Sequence, residues 1–152
     1  MYSFKNISSL QHDLKSGSVT CVQVVDDILR SIEEKKHLNI YLETFARSAK
    51  DQALEVDKKI KSGTAGKLAG VVIAFKDNIC YKDHQVSASS KILENFTSLF
   101  SATVVERLLA EDAILIGRTN CDEFAMGSSN ENSAFGPVLT PVVISSVLLV
   151  IG

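Results

Sequence analysis

Two short apolar runs, Val71-Val-Ile-Ala-Phe75 and Ala113-Ile-Leu-Ile116, constrain this chain more than anything else in it. Each has the length of a strand, and neither alternates with polar residues. That is the pattern of a strand buried on both faces. Between them, Val104, Val105, Leu108 and Leu109 recur at helical spacing, and Ser101 stands where a helix cap is expected. Strand, helix and strand with so long a connection imply a parallel pair joined by a right-handed crossover. The fold class is therefore α/β. Gly117 follows the second run and is read as its end.

Helices precede this unit. Thr20-Cys-Val-Gln23 has the form of a capping box, and Val25, Ile28, Leu29 and Ile32 follow at helical spacing. A helix is expected over about residues 19–36. Ala46, Ala49, Ala53, Val56 and Ile60 mark a second one, stopped by Ser62-Gly63. Its alanines imply close approach to a neighbouring element. Lys58, Lys59 and Lys61 read as a solvated helix end that complements the macrodipole. Residues 80–100 are polar and serine-rich, with little periodicity. No internal repeat or linker is visible.

The length of 152 residues suits one domain, and 45% apolar with 22% charged residues excludes a disordered chain. A net charge of −2 argues against a broad nucleic-acid surface on this chain, and is compatible with a complex whose other subunits hold RNA. Cys21, Cys80 and Cys121 form no C-x-x-C, and His12, His37 and His84 form no H-x-x-x-H. No metal site or disulfide framework is expected, and a reducing cytoplasm fits. The N-terminus lacks the basic and apolar regions of a signal peptide. From Asn132 to Gly152 there is no charged residue. The apolar run Val142–Ile151 is too short to span a bilayer, so no membrane association is expected. It reads as a buried strand, or as an aggregation-prone segment if nothing covers it.

Lys76 is the first candidate for chemistry. It sits at the end of the first apolar run, where open α/β sheets place their sites. A lysine at its ordinary pKa of about 10.4 cannot accept a proton at neutral pH, and lowering that value to about 7–8 costs roughly 4 kcal/mol. Burial beside the strand would supply part of this cost. A neutral lysine could then take a hydroxyl proton, as in Ser-Lys catalysis. The alternative is a plain charge at a strand end. Asp77 and Asn78 either cap the next turn or orient the lysine. The second candidate is Gly127-Ser128-Ser129, a loop able to bring hydroxyls and backbone N–H groups to a substrate. The alternative there is a capped turn with exposed serines. Asp122-Glu123 is read as solvated or capping, because adjacent side chains do not face each other. An anion site around Lys76 lacks any phosphate-loop glycine pattern.

Gly70-Val-Val-Ile-Ala-Phe-Lys76-Asp-Asn-Ile79, Ser89-Ser-Lys-Ile-Leu-Glu94 and Gly117-Arg-Thr-Asn-Cys-Asp-Glu-Phe-Ala-Met-Gly-Ser-Ser129, followed by Glu131-Asn-Ser-Ala-Phe-Gly136, resemble the amidase signature family. The run from Asp122 to Gly136 is most similar to its tRNA-amidotransferase branch, whose glutamine-hydrolysing chains serve Glu-tRNA(Gln) or Asp-tRNA(Asn). The resemblance implies N-terminal helices followed by part of a mixed, mainly parallel sheet, an incomplete amidase signature fold. It implies a Ser-Ser-Lys triad in which Lys76 is the base, and it assigns Gly127, Ser128 and Ser129 to a substrate-side loop. It further implies glutamine as amide donor, with no cofactor on this chain. The implied partners are the B and C subunits of the amidotransferase. The B subunit would use ATP and Mg²⁺, the C subunit would hold the assembly together, and mischarged tRNA would be reached through the complex.

The resemblance places the family's relay serine in a glycine-serine segment, and the nucleophilic serine beyond it; this chain does not contain such a segment. The match fades near Val138. The expected division is thus residues 1–137, the N-terminal part of an amidase domain, and 138–152, a divergent apolar tail of a truncated or frame-shifted product. An amidase acting on another small amide, or an inactive remnant, are the competing readings.

Overall fold

The computed structural model describes residues 2 and 4–139, together with the backbone of 149–151. Helix α1 spans Ile7–Ser16, α2 Cys21–Glu34, α3 Ala46–Ser62 and α4 Thr103–Ala110. Strand β1 spans Tyr41–Thr44, β2 Val72–Lys76, β3 Ile114–Thr119 and β4 Leu149–Ile151. The sheet order is β1-β3-β2-β4, with β1 antiparallel to β3 and the pairs β2–β3 and β2–β4 parallel. This is the mixed, mainly parallel sheet expected, preceded by helices.

The helix boundaries follow from side chains that satisfy the otherwise unpaired end groups. Gln23 N–H donates to Thr20 Oγ1 at 3.2 Å and Thr20 N–H donates back to Gln23 Oε1 at 2.9 Å, the capping box that the sequence implies. Asp57 on α3 accepts from Cys21 N–H at 2.8 Å, so α3 helps to start α2. Gly63 ends α3 in the left-handed region at φ 73°. Helix α1 has no counterpart among the sequence expectations. Its box is Asn6 with Ser9, an unusual pair, and only Leu10 and Leu14 of its residues are buried.

The sheet is covered on both faces, and the alternation of β2 and β3 sorts its residues between them. Val72, Ala74, Ile114 and Ile116 pack with Leu10, Leu14, Val24, Val25, Ala49, Ala53 and Val56 of α1–α3. Val71, Ile73, Phe75, Ala113 and Leu115 pack with Phe45 and with Val105 of α4. Ala49 and Ala53 are fully buried, and their lack of bulk lets α3 lie close to the sheet. Each fully buried Ile or Leu contributes about 1.5–3 kcal/mol relative to exposure.

Three local expectations are corrected. Strand β3 does not stop at Gly117 but continues to Thr119, because Gly117 pairs with Thr44 of β1. Only glycine allows that approach: a Cβ there would lie 2.4 Å from the Glu43 carbonyl oxygen. Ser101 does not cap α4. The cap position is Ala102, with no side-chain bond, and Ser101 Oγ instead accepts from Lys82 N–H at 3.1 Å. Lys59 is not merely solvated, since its ammonium meets Asp112 at 2.6 Å. Strand β1 is an addition to the expected elements, being only four residues long and irregular in register. The expected strand Val142–Ile151 lies outside the described residues except for the backbone of 149–151, which pairs with Ile73–Phe75.

Candidate active site

Strands β2 and β3 run parallel and finish together, with Lys76 opposite Thr119. Lys76 is the last residue of β2 and is half-buried. Alternation puts it on the face of Val72 and Ala74. The strand end is closely held. Asp77 N–H donates to Thr119 O at 3.0 Å, and Ile79 N–H donates to Lys76 O at 2.9 Å.

The residue after the lysine organises the neighbourhood. Asp77 is fully buried. Its carboxylate accepts from Ser89 N–H at 2.8 Å, Ser87 N–H at 3.2 Å, the Ser87 hydroxyl and Arg118 Nη1. Arg118, itself buried, also donates from Nε to Glu43 at 2.9 Å and from Nη2 to Gln85 at 3.2 Å. A buried carboxylate with this many donors offsets its desolvation, and removal of one charge from such a pair costs about 3–5 kcal/mol. The sequence leaves Asp77 undecided between capping and orienting. It gives Arg118 no role, although one signal is there: a charged residue inside a buried strand, one position short of the register of Lys76.

The segment held by Asp77 is strained. Ala88 and Ser89 both occupy the left-handed region, at φ 47° and 51°. For residues with a Cβ this costs about 1–2 kcal/mol each. The strained turn turns backbone groups toward the 120–136 segment. Ala88 O accepts from Phe124 N–H at 2.8 Å, and Ser89 O accepts from Ala134 N–H at 3.0 Å. Ser89 Oγ accepts from Cys121 N–H at 3.0 Å, and Ser90 Oγ donates to Glu123 at 2.6 Å.

Gly127, Ser128 and Ser129 lie in that docked segment, exposed to solvent. The loop wraps around Asp122, which accepts from Asn130 N–H at 2.9 Å and Asn132 N–H at 3.0 Å. These backbone donors, Asn132 first, hold the Asp122 carboxyl below its usual pKa. The expectation of a solvated or capping Asp122-Glu123 pair is thereby corrected: Asp122 is buried inside its own loop, and Glu123 is bound to Ser90. Gly127 is required here, because a Cβ would meet the Asp122 carboxylate at 2.5 Å. Ser129 Oγ donates to Glu131 at 2.7 Å. Among the described residues no hydrogen bond joins Ser128 or Ser129 to Lys76. The fold thus brings the lysine and the serine loop to the same end of the sheet, linked through Asp77 and the 87–90 turn. Among the described residues, no group of three or more His, Cys, Asp or Glu is placed to hold a metal ion.

The protein-family model named Amidase matches residues 23–148. In Chlorobaculum parvum, the A subunit of glutamyl-tRNA(Gln) amidotransferase is 48% identical over 139 residues, covering 91% of this chain and 29% of that protein. The protein of the same name from Chlorobaculum tepidum is 49% identical over the same length. The chain therefore spans about 29% of the length of these curated relatives. Among solved structures, a vestigial protein complex bearing on the origins of an s-triazine catabolic enzyme superposes with a TM-score of 0.85 at 28% identity, covering 90% of this chain and 31% of that one. The native peptide amidase of Stenotrophomonas maltophilia superposes with a TM-score of 0.80 at 27% identity, covering 90% and 30%.

Proposed function

Because the chain belongs to the amidase family, we propose that it forms the lysine-bearing part of a glutamine-hydrolysing site in a tRNA-dependent amidotransferase. The observation that carries this is the identity of 48% over 91% of the chain to a relative named as the A subunit of glutamyl-tRNA(Gln) amidotransferase. The reading assigns Lys76 as the base. Its amine takes a proton from a serine hydroxyl, directly or through a second hydroxyl. The serine oxygen then attacks the amide carbon of glutamine, the C–N bond breaks, and ammonia leaves with the returned proton. Water hydrolyses the resulting acyl-enzyme to glutamate.

Gly127, Ser128 and Ser129 form the substrate-side loop in this reading, not the nucleophile. Ser129 is committed to Glu131, and both serines belong to the exposed loop built around Asp122. Ammonia would pass to a B subunit that uses ATP and Mg²⁺ to amidate mischarged tRNA, with a C subunit joining the two. The chain's net charge of −2 supports leaving tRNA to those partners. No helix among the described residues is long and apolar enough to cross a membrane, and a cytoplasmic site of action accords with the three free cysteines.

The test is ammonia release from glutamine by the purified chain with the B and C subunits present, beside a Lys76→Ala control. Release that disappears in the control supports the assignment and requires a nucleophile within these residues. Release that survives the control removes Lys76 from the role of base. A folded chain that releases nothing supplies the base without the nucleophile.

A further inference from the structure

We propose that Asp77 is a positioning residue, fixing the Lys76 strand end and the Gly127–Ser129 loop relative to one another. The proposal rests on the reading above only for the chemical role of Lys76. The coupling itself follows from geometry.

The backbone and side chain of Asp77 together reach both halves of the site. Its N–H closes the end of β2 onto Thr119, one peptide from the lysine, while its O accepts from Ala88 N–H at 2.9 Å. Its carboxylate gathers Ser87 and Ser89 and is itself held by Arg118. Arg118 in turn is tied to Glu43 on β1, so the carboxylate is anchored across three elements. The turn it pins is the pair of left-handed residues Ala88 and Ser89, a conformation that persists only when its surroundings over-determine it. That turn presents Ala88 O and Ser89 O to the 120–136 segment. A shift at Asp77 therefore moves the lysine's strand end and the serine loop together.

The test uses the whole 152-residue chain in four forms: wild type, Asp77→Asn, Ser87→Ala and Ser90→Ala. Acylation of the Lys76 amine by an amine-reactive reagent at fixed pH is read by mass spectrometry. Amide hydrogen exchange is followed across residues 21–34, 46–62, 87–90 and 122–134. Asp77→Asn is expected to raise exchange in the last two segments by about tenfold, and Lys76 acylation by about threefold, with α2 and α3 as protected as in the wild type. Ser87→Ala removes one donor and leaves both charges paired. It is expected to move the same readouts in the same direction by less. Ser90→Ala breaks the bond to Glu123 and the local bond from Ile92 N–H, and touches no partner of Asp77, so it is expected to loosen 122–134 without changing Lys76 acylation.

Lys76 acylation at the wild-type rate in both Asp77→Asn and Ser87→Ala overturns the proposal. So does an equal rise in Ser90→Ala, because Asp77 would then be no more than a loop staple. If Asp77→Asn also loses protection in α2 and α3, it has unfolded, and Ser87→Ala decides alone. Ammonia release that survives Lys76→Ala would remove Lys76 as base and leave these results standing.

Discussion

Gly117→Ala tests how tightly β1 is held against β3. The added methyl would lie 2.4 Å from the Glu43 carbonyl oxygen, 3.0 Å from the Tyr41 ring and 3.2 Å from the Thr44 Cα. Ordinary contact begins near 3.4 Å, so β1 must retreat by about 1 Å (3.4 − 2.4). Backbone oxygen is the obstacle, and no rotamer relieves it. The retreat would stretch bonds that flank the contact, Phe45 N–H to Ile116 O at 2.8 Å and Asn120 N–H to Ile40 O at 2.8 Å. Losing two such bonds at about 1 kcal/mol each, plus about 1–3 kcal/mol of overpacking, gives about 3–5 kcal/mol. With a urea slope of about 2 kcal/mol per molar, the unfolding midpoint falls by about 1.5–2.5 M. Gly63→Ala is the matched control. It meets nothing within 4 Å and suffers only from its φ of 73°, worth about 1 kcal/mol, or about 0.5 M. Urea titrations followed by far-UV circular dichroism compare the two. A Gly117→Ala midpoint no lower than that of Gly63→Ala would refute the argument, since it would mean that β1 can move away freely.

Two further outcomes follow from the ionisable groups. The Asp122 carboxyl is held below its usual pKa, chiefly by Asn132 and Asn130 N–H. A depressed folded-state value contributes stability that is complete above the unfolded value of about 3.9 and is lost as pH falls through the folded one. Exchange protection of 128–132 should therefore drop below about pH 4, and Asp122→Asn should remove that step in an exchange series against pH. Cys21 is buried, and burial, aided by Asp57, pushes its thiol well above the ordinary range. Iodoacetamide should label the partly exposed Cys80 in the native chain, and Cys21 only after denaturant unfolds it; mass mapping of both sites would show native labelling of Cys21 if its helix opens readily.

What the residue order carried was local and periodic. Apolar runs at 71–75 and 113–116, helical spacing in α2 and α3, and the capping box at Thr20 are properties of neighbours in sequence, so each was legible there. Lys76 was legible for the same reason: it ends an apolar run. The family resemblance suggested the serine loop as substrate-side, and the family match agrees with the resemblance itself. The features that escaped depend on residues far apart in the chain. Whether Gly117 ends a strand or lets another approach was settled by Glu43, more than seventy positions earlier. Asp122 looked solvated until its own loop closed over it. Asp77 could have been a cap or an orienting group, and its role emerged only when Arg118, Ser87 and Ser89 converged on it. A buried charge has no meaning until its partners are known, because burial without them is prohibitively costly. Spacing could nominate the lysine; the geometry of its surroundings was decided by contacts that only folding brings together.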